Sequence, residues 1–210
     1  QNVVYASPSL KKLLLTQTFV SQPKIYCRYM EELDVSGTPI TGEMLSTIVE
    51  HCPLLTRLVA EKCYSVSNLT SFRSDSLREL NLAANPIENE SVHSIVEKCP
   101  GLIKLNLSGC NQLTVIDFTK HASLKQIIFA RCMSLRSLSF EKTGCPCVNY
   151  IDVLACSQLS SIRLKGYGRV ICEPAHVKVR VQEGEVHVVA DRKYQQTLGI
   201  MAEMFHGHGQ

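Results

Sequence analysis

The stretch Leu102-Ile103-Lys104-Leu105-Asn106-Leu107-Ser108-Gly109-Cys110 decides the fold. Apolar residues stand at 102, 105 and 107, and a small polar residue closes the unit at 110. The same spacing recurs toward the N-terminus as Leu77, Leu80, Leu82, Asn85, then Leu55, Leu58, Ala60, Cys63. Two earlier copies are Met30, Leu33, Val35, Thr38 and Leu10, Leu13, Leu15, Thr18. Toward the C-terminus it returns as Leu124, Ile127, Phe129, Cys132 and as Val148, Ile151, Val153, Cys156. Seven copies at intervals of 20 to 25 residues make a repeat. Each Leu-x-Leu core is a short strand with its apolar residues on one side. One turn cannot bury that side alone, so turns stack into a parallel sheet over a shared core.

The connections between strands divide the chain. Residues 41–52 and 88–99 carry apolar side chains at helical spacing: Leu45, Ile48, Val49 in the first, Val92, Ile95, Val96 in the second. From Asn111 the spacing tightens, and Leu113, Ile116, Phe118, then Leu135, Leu138, Phe140, then Leu159, Ile162, Leu164 repeat the strand pattern. The expected fold is therefore α/β, a leucine-rich repeat solenoid with a parallel concave sheet. Its convex side is helical in the N-terminal turns and extended in the C-terminal ones. Residues 1–165 form about seven turns. Val177, Val179, Val181 and Val186, Val188 alternate around Gln182-Glu183-Gly184-Glu185, which reads as a hairpin. With a helix over residues 194–205 it makes 166–210 a C-terminal cap over the core edge.

Ten cysteines in 210 residues raise disulfides, zinc or the repeat itself as explanations. The closing column reads Thr18, Thr38, Cys63, Asn85, Cys110, Cys132, Cys156. A second column, three residues before each repeat, reads Cys27, Cys52, Ser74, Cys99, His121, Cys145. Only Cys147 and Cys172 fall outside the two, so the thiols read as small buried packing groups. Cys145-Pro146-Cys147 lacks the usual Cys-x-x-Cys spacing, and no metal site is expected. Reduced thiols point to the cytoplasm.

Composition excludes several classes. A net charge of +3 is too small for a nucleic-acid or anionic-membrane partner. Leu13-Leu14-Leu15 is far shorter than the roughly 20 residues of a membrane span, and it lacks a cleavage site for a signal peptide. The chain opens on Gln1 rather than Met, as expected of a processed form or an excised fragment. None of the seven histidines (51, 93, 121, 176, 187, 206, 208) has a nucleophile at motif spacing. Neither an enzyme activity, nor a cofactor, nor a small-molecule substrate is expected.

Val96-Glu97-Lys98-Cys99-Pro100-Gly101-Leu102, continuing to Cys110, resembles the cysteine-containing subtype of leucine-rich repeats, and His51-Cys52-Pro53-Leu54-Leu55 matches the same motif. That subtype is best known from F-box proteins, which implies a substrate receptor or adaptor linked to ubiquitin transfer. Residues 107–138 are also similar to repeats of plant intracellular immune receptors, and bacterial effectors that imitate host repeats look alike. An effector would act on a host protein in the host cytosol. The resemblance covers residues 10–164. No F-box precedes the repeats and no phosphate-binding Gly-x-x-x-x-Gly-Lys-Ser/Thr is present, so ligase or ATPase activity would lie outside this chain.

The residues between the buried leucines face outward and are the expected protein-binding surface. One column, Lys12, Glu32, Arg57, Glu79, Lys104, Gln126, Tyr150, alternates in sign and reads mainly as a structural ladder. The next, Leu14, Asp34, Val59, Asn81, Asn106, Ile128, Asp152, mixes apolar and hydrogen-bonding groups. With Tyr150 and Leu154, the residues Asp34, Val59, Asn81, Asn106, Ile128 and Asp152 are the candidate contacts, and Val59, Ile128, Tyr150 and Leu154 are the apolar anchors among them. The rival reading places function in residues 166–210, with the repeats as a scaffold.

Overall fold

Strands of three or four residues, too short to stand alone, take their order from the repeat. The computed structural model describes residues 2–189 apart from 21, 119–120, 141–146, 165–167, 172–177 and 182–185, and only the backbone of strands beyond residue 163. In chain order the first elements are β1 (Asn2–Tyr5), β2 (Lys12–Leu14), β3 (Gln22–Ile25), β4 (Glu32–Asp34), α1 (Gly42–His51), β5 (Arg57–Val59), β6 (Glu79–Asn81) and α2 (Asn89–Lys98). They continue with β7 (Lys104–Asn106), β8 (Val115–Asp117), β9 (Gln126–Ile128), β10 (Ser137–Ser139), β11 (Tyr150–Asp152) and β12 (Ser161–Leu164). The last described are β13 (Gly168–Ile171), β14 (Lys178–Val181) and β15 (Val186–Val189).

The seven Leu-x-Leu cores are β2, β4, β5, β6, β7, β9 and β11, parallel neighbours in one sheet that β13 and β15 extend to nine strands. Their register is the repeat register. Leu13, Leu33, Leu58, Leu80, Leu105, Ile127 and Ile151 are successive partners. All but Leu13, in the first turn, are buried.

The opposite side of each turn varies. Helices α1 and α2 occupy the two segments whose apolar spacing was helical. Thr41 caps α1, its Oγ1 accepting from the Met44 N–H at 3.3 Å. Helix α1 packs against β3, and α2 against β8. Gly42 lets the first turn of α1 approach its neighbour: a Cβ there would lie 1.9 Å from the Asn68 carbonyl oxygen. Strands β8, β10, β12 and β14 form a parallel four-stranded sheet, as the tightened spacing implied. Beneath it the Phe118 and Phe140 rings stack at 4.6 Å and Phe129 meets Phe118 edge-on at 6.3 Å.

Two expectations need correction. The N-terminal turns are not uniformly helical on this side, because β1 and β3 pair as a two-stranded parallel sheet before α1 begins. Residues 177–188 are not a hairpin either. Strand β14 runs parallel to β12, and β15 runs parallel to β13, so the two lie in different sheets. Alternation with period two is identical in a hairpin and in strands stacked on successive turns, so it could not separate them. The helix expected over 194–205 lies outside the described residues.

A left-handed residue recurs once per turn. Gln17, Gly37, Lys62, Ala84, Gly109, Arg131 and Ala155 all have φ between 55° and 69°. Each stands just before the closing column and bends the chain out of the sheet. From Gln17 to Arg131, each N–H bonds a carbonyl one turn on, as in Ala84 to Ser108 at 2.7 Å. Only two of the seven are glycine, so five L side chains occupy a region that disfavours them.

Candidate functional site

The closing column is a ladder of donors aimed at backbone carbonyls that the bend leaves without strand partners. Thr18 and Thr38 donate within their own turns, to Leu15 O at 2.8 Å and Val35 O at 2.6 Å. The cysteines reach one turn back: Cys63 to Val35 O, Cys110 to Leu82 O, Cys132 to Leu107 O and Cys156 to Phe129 O, with S···O from 3.0 to 3.3 Å. Asn85 spans both, its Nδ2 bonding Ala60 O at 2.7 Å and Leu82 O at 2.8 Å. Buried carbonyls need donors, so these thiols do more than fill space. Burial pushes the Cys110 thiol up to about 11 and raises Cys132 further, its neighbours Cys110 and Cys156 adding to the effect.

The second column behaves similarly. His121 is buried; its Nδ1 accepts from the Ser123 and Leu124 N–H groups, so Nε2 donates to Cys99 O at 2.9 Å. Desolvation lifts the Cys99 thiol to about 11. Both columns are thus structural, and burial disfavours the nucleophilic thiolates of Cys99, Cys110 and Cys132. Cys145 lies outside the described residues. Among the described residues no group of three His, Cys, Asp or Glu side chains is placed to hold a metal ion.

The outward face of the nine-stranded sheet carries the candidate contacts. Its first column is an ion-pair ladder over four strands: Lys12–Glu32 at 2.8 Å, Glu32–Arg57 at 3.9 Å and Arg57–Glu79 at 3.3 Å. The hydrogen-bonded ammonium of Lys12 holds the Glu32 carboxyl below its ordinary range, and Arg57 adds to this. The ladder stops at Glu79.

In the next column, Asp34, Asn81, Asn106 and Asp152 are half-buried, and each has a local task. Their Oδ1 atoms accept the N–H two residues on, from Ser36, Ala83, Ser108 and Leu154, at 2.9 to 3.0 Å. These Asx turns steer the strand end into the left-handed residue. Ile128, Tyr150 and Leu154 are also half-buried, on or just beyond the adjacent strands β9 and β11. Val59 departs from expectation: at 8% exposure it is covered rather than presented, with Asp34 and Asn81 flanking it on β4 and β6. It therefore offers no exposed anchor. Of the other seven, six share a face continuous across β6, β7, β9 and β11, while Asp34 stands apart on β4.

Sequence reasoning passed over one apolar feature. Phe19 at 95% exposure, Tyr64 and Met133 are exposed in the position just after the closing column. Their shared offset from Thr18, Cys63 and Cys132 was available in the sequence, but the alternation along a strand says nothing about the rim beyond it.

A family model described as Leucine Rich repeat matches residues 26–48, which include the Met30, Leu33, Val35, Thr38 unit and the start of α1. No curated protein matches the chain. The match supports a leucine-rich repeat protein, and a repeat of this kind points to a module for protein–protein interaction.

Proposed function

We propose that the protein is a recognition module that holds a protein partner across the outward face of its nine-stranded sheet. On this reading the stack is a solenoid whose concave side is that sheet. Its role is that of a substrate receptor or adaptor, and its resemblance to the cysteine-containing repeats of F-box proteins links it to ubiquitin transfer. The observation that carries the reading is the half-exposed surface of Asn81, Asn106, Ile128, Tyr150, Asp152 and Leu154. These residues lie on four adjacent parallel strands about 4.8 Å apart. Mostly uncharged, such a surface suits a protein ligand whose apolar groups dominate the contact.

Several features support the finer points. Thiols that donate S–H to carbonyls must be reduced, which fits the cytoplasm. A cap over the C-terminal end of the stack is supported by β13 and β15, which continue the sheet beyond β11.

The test is capture from eukaryotic lysate followed by mass spectrometry. Wild type is compared with Ile128→Glu/Leu154→Glu, which leaves the Asx side chains in place. Glu97→Lys on α2 serves as a control. A protein captured by wild type and control but lost from the face variant, with thermal unfolding unchanged, is the expected result. Equal capture by all three would reject the face as the binding surface.

A further inference from the structure

The charges of the nine-stranded sheet are distributed unevenly. Over β2 to β6, cations and carboxylates neutralise one another through Lys12–Glu32–Arg57–Glu79 and through Lys11–Glu31 at 2.7 Å. Beyond Glu79 the cations continue without carboxylate partners. Arg78, Ile103 and Lys125 occupy one row on successive turns, since Ile103 N–H bonds Arg78 O at 2.8 Å and Lys125 N–H bonds Ile103 O at 2.8 Å. Lys104 stands beside Ile103 at the head of β7. Among the described residues, Arg78, Lys104 and Lys125 form no ion pair.

Arg78 is also positioned. Its Nη1 donates to Asp75 O at 3.3 Å, and a Cβ on Gly101 would fall 1.5 Å from that nitrogen, so the guanidinium lies in space that only glycine leaves. Three cations thus line the strand-start rim of the half-exposed surface that begins at Asn106 and Ile128. Two carboxylates flank this rim: Glu79, the register partner of Lys104 on β6, is paired to Arg57 at 3.3 Å, and Asp152 lies two strands from Lys104 with its Oδ1 accepting the Leu154 N–H.

Resting on the reading of this face as the binding surface, we propose that its partner presents an acidic segment. Its carboxylates sit over Arg78, Lys104 and Lys125, and an adjacent apolar side chain packs against Ile128. Unpaired cations at the edge of an apolar surface select a partner of opposite charge and speed its arrival. The self-neutralised half over β2 to β6 offers no such preference.

The probes are three fluorescent peptide pools in which aliphatic and aromatic residues alternate with Asp/Glu, with Lys/Arg or with Ser/Thr. Binding is read by polarisation at low salt and again at physiological salt, where the Debye length is about 8 Å. The acidic pool binds, and Lys104→Glu/Lys125→Glu weakens it about tenfold or more, a change of about 1.4 kcal/mol. Lys11→Glu/Lys12→Glu, which alters net charge equally but lies at the start of β2, leaves binding within about twofold.

Preference for the basic or neutral pool, no binding of the acidic pool, equal weakening by the two charge reversals, or tighter binding of a short oligonucleotide would each overturn the acidic-partner inference. The face itself is tested separately by Ile128→Glu. If that variant binds the acidic pool as wild type does, the binding surface is elsewhere and the parent reading fails. If it alone loses binding, the face stands and the charge inference falls.

Discussion

Replacing Asn85 with aspartate keeps the side chain's shape and exchanges its donor group for an acceptor. In the native protein the Nδ2 of this buried residue feeds two carbonyls, Ala60 O at 2.7 Å and Leu82 O at 2.8 Å. Its Oδ1 is a buried oxygen without a hydrogen-bond partner. The carboxylate would face both carbonyls with no proton to offer. Leu82 O keeps the Cys110 thiol as a donor, but Ala60 O is left unsatisfied, which costs about 1–3 kcal/mol before the carboxylate's own desolvation is added. Domains of this kind are stable by roughly 5–15 kcal/mol, so the loss would be a large fraction of the total. Burial raises the introduced carboxyl's pKa in the folded state above its unfolded value of about 3.9. The protonated acid can donate once, so the deficit is smallest below that value and grows as pH rises through the folded pKa. Urea unfolding followed by circular dichroism at pH 4 and pH 7 measures both effects. Asn85→Cys supplies the column's usual donor to Ala60 O and removes the orphaned Oδ1, so it should stay within about 1.5 kcal/mol of wild type. An Asn85→Asp variant within about 1 kcal/mol of wild type at pH 7 would refute the donor-ladder argument.

Further predictions concern the thiols and the bends. Because burial raises Cys99 and Cys110 to about 11 from the ordinary 9.0, the folded state disfavours their thiolates. Their contribution is complete below pH 9 and lost as pH climbs through 11, so the melting temperature should fall across that window; a flat profile would contradict this. Under native conditions iodoacetamide should modify exposed Cys147 well before Cys63, Cys99, Cys110 or Cys132, as read by peptide mass mapping. Ala84→Gly should stabilise the protein by about 0.5–1 kcal/mol in denaturant titration, since relief of about 1–2 kcal/mol at φ 57° exceeds the entropy glycine adds to the unfolded chain. Gly42→Ala should destabilise by about 1–3 kcal/mol, because its Cβ meets the Asn68 carbonyl oxygen.

Much of the fold was legible because each turn repeats one rule. Leu102, Leu105 and Leu107 set the register, and the pairing of Leu80 with Leu105 and of Leu105 with Ile127 follows it residue by residue. The helices were legible where the apolar spacing spanned ten residues, as from Gly42 to His51. Strands β1 and β3 were not, since four residues with Pro23 among them carry no usable period. The left-handed column was hidden because five of its seven members are Gln, Lys, Ala or Arg, imposed by stacking rather than by local preference. The outward columns follow the strand register, but the tasks of their members were not legible. An Asx bond from Asn106 to the Ser108 N–H belongs to the turn after the strand, and the covering of Val59 depends on neighbouring turns. Sequence periodicity separates inside from outside, whereas a site also needs to know which outward groups the fold has already used.

The central claim is that the partner lies on the outward face of the nine-stranded sheet. The most direct measurement places a photo-crosslinking phenylalanine analogue at position 128 on β9 and, in a second protein, at position 97 on α2. Both are irradiated in lysate and the adducts are compared on gels. An adduct from 128 that is missing from 97, and that disappears when Leu154→Glu is added, is the result this account predicts. An adduct from 97 and none from 128 would contradict it and move the binding surface to the helical side.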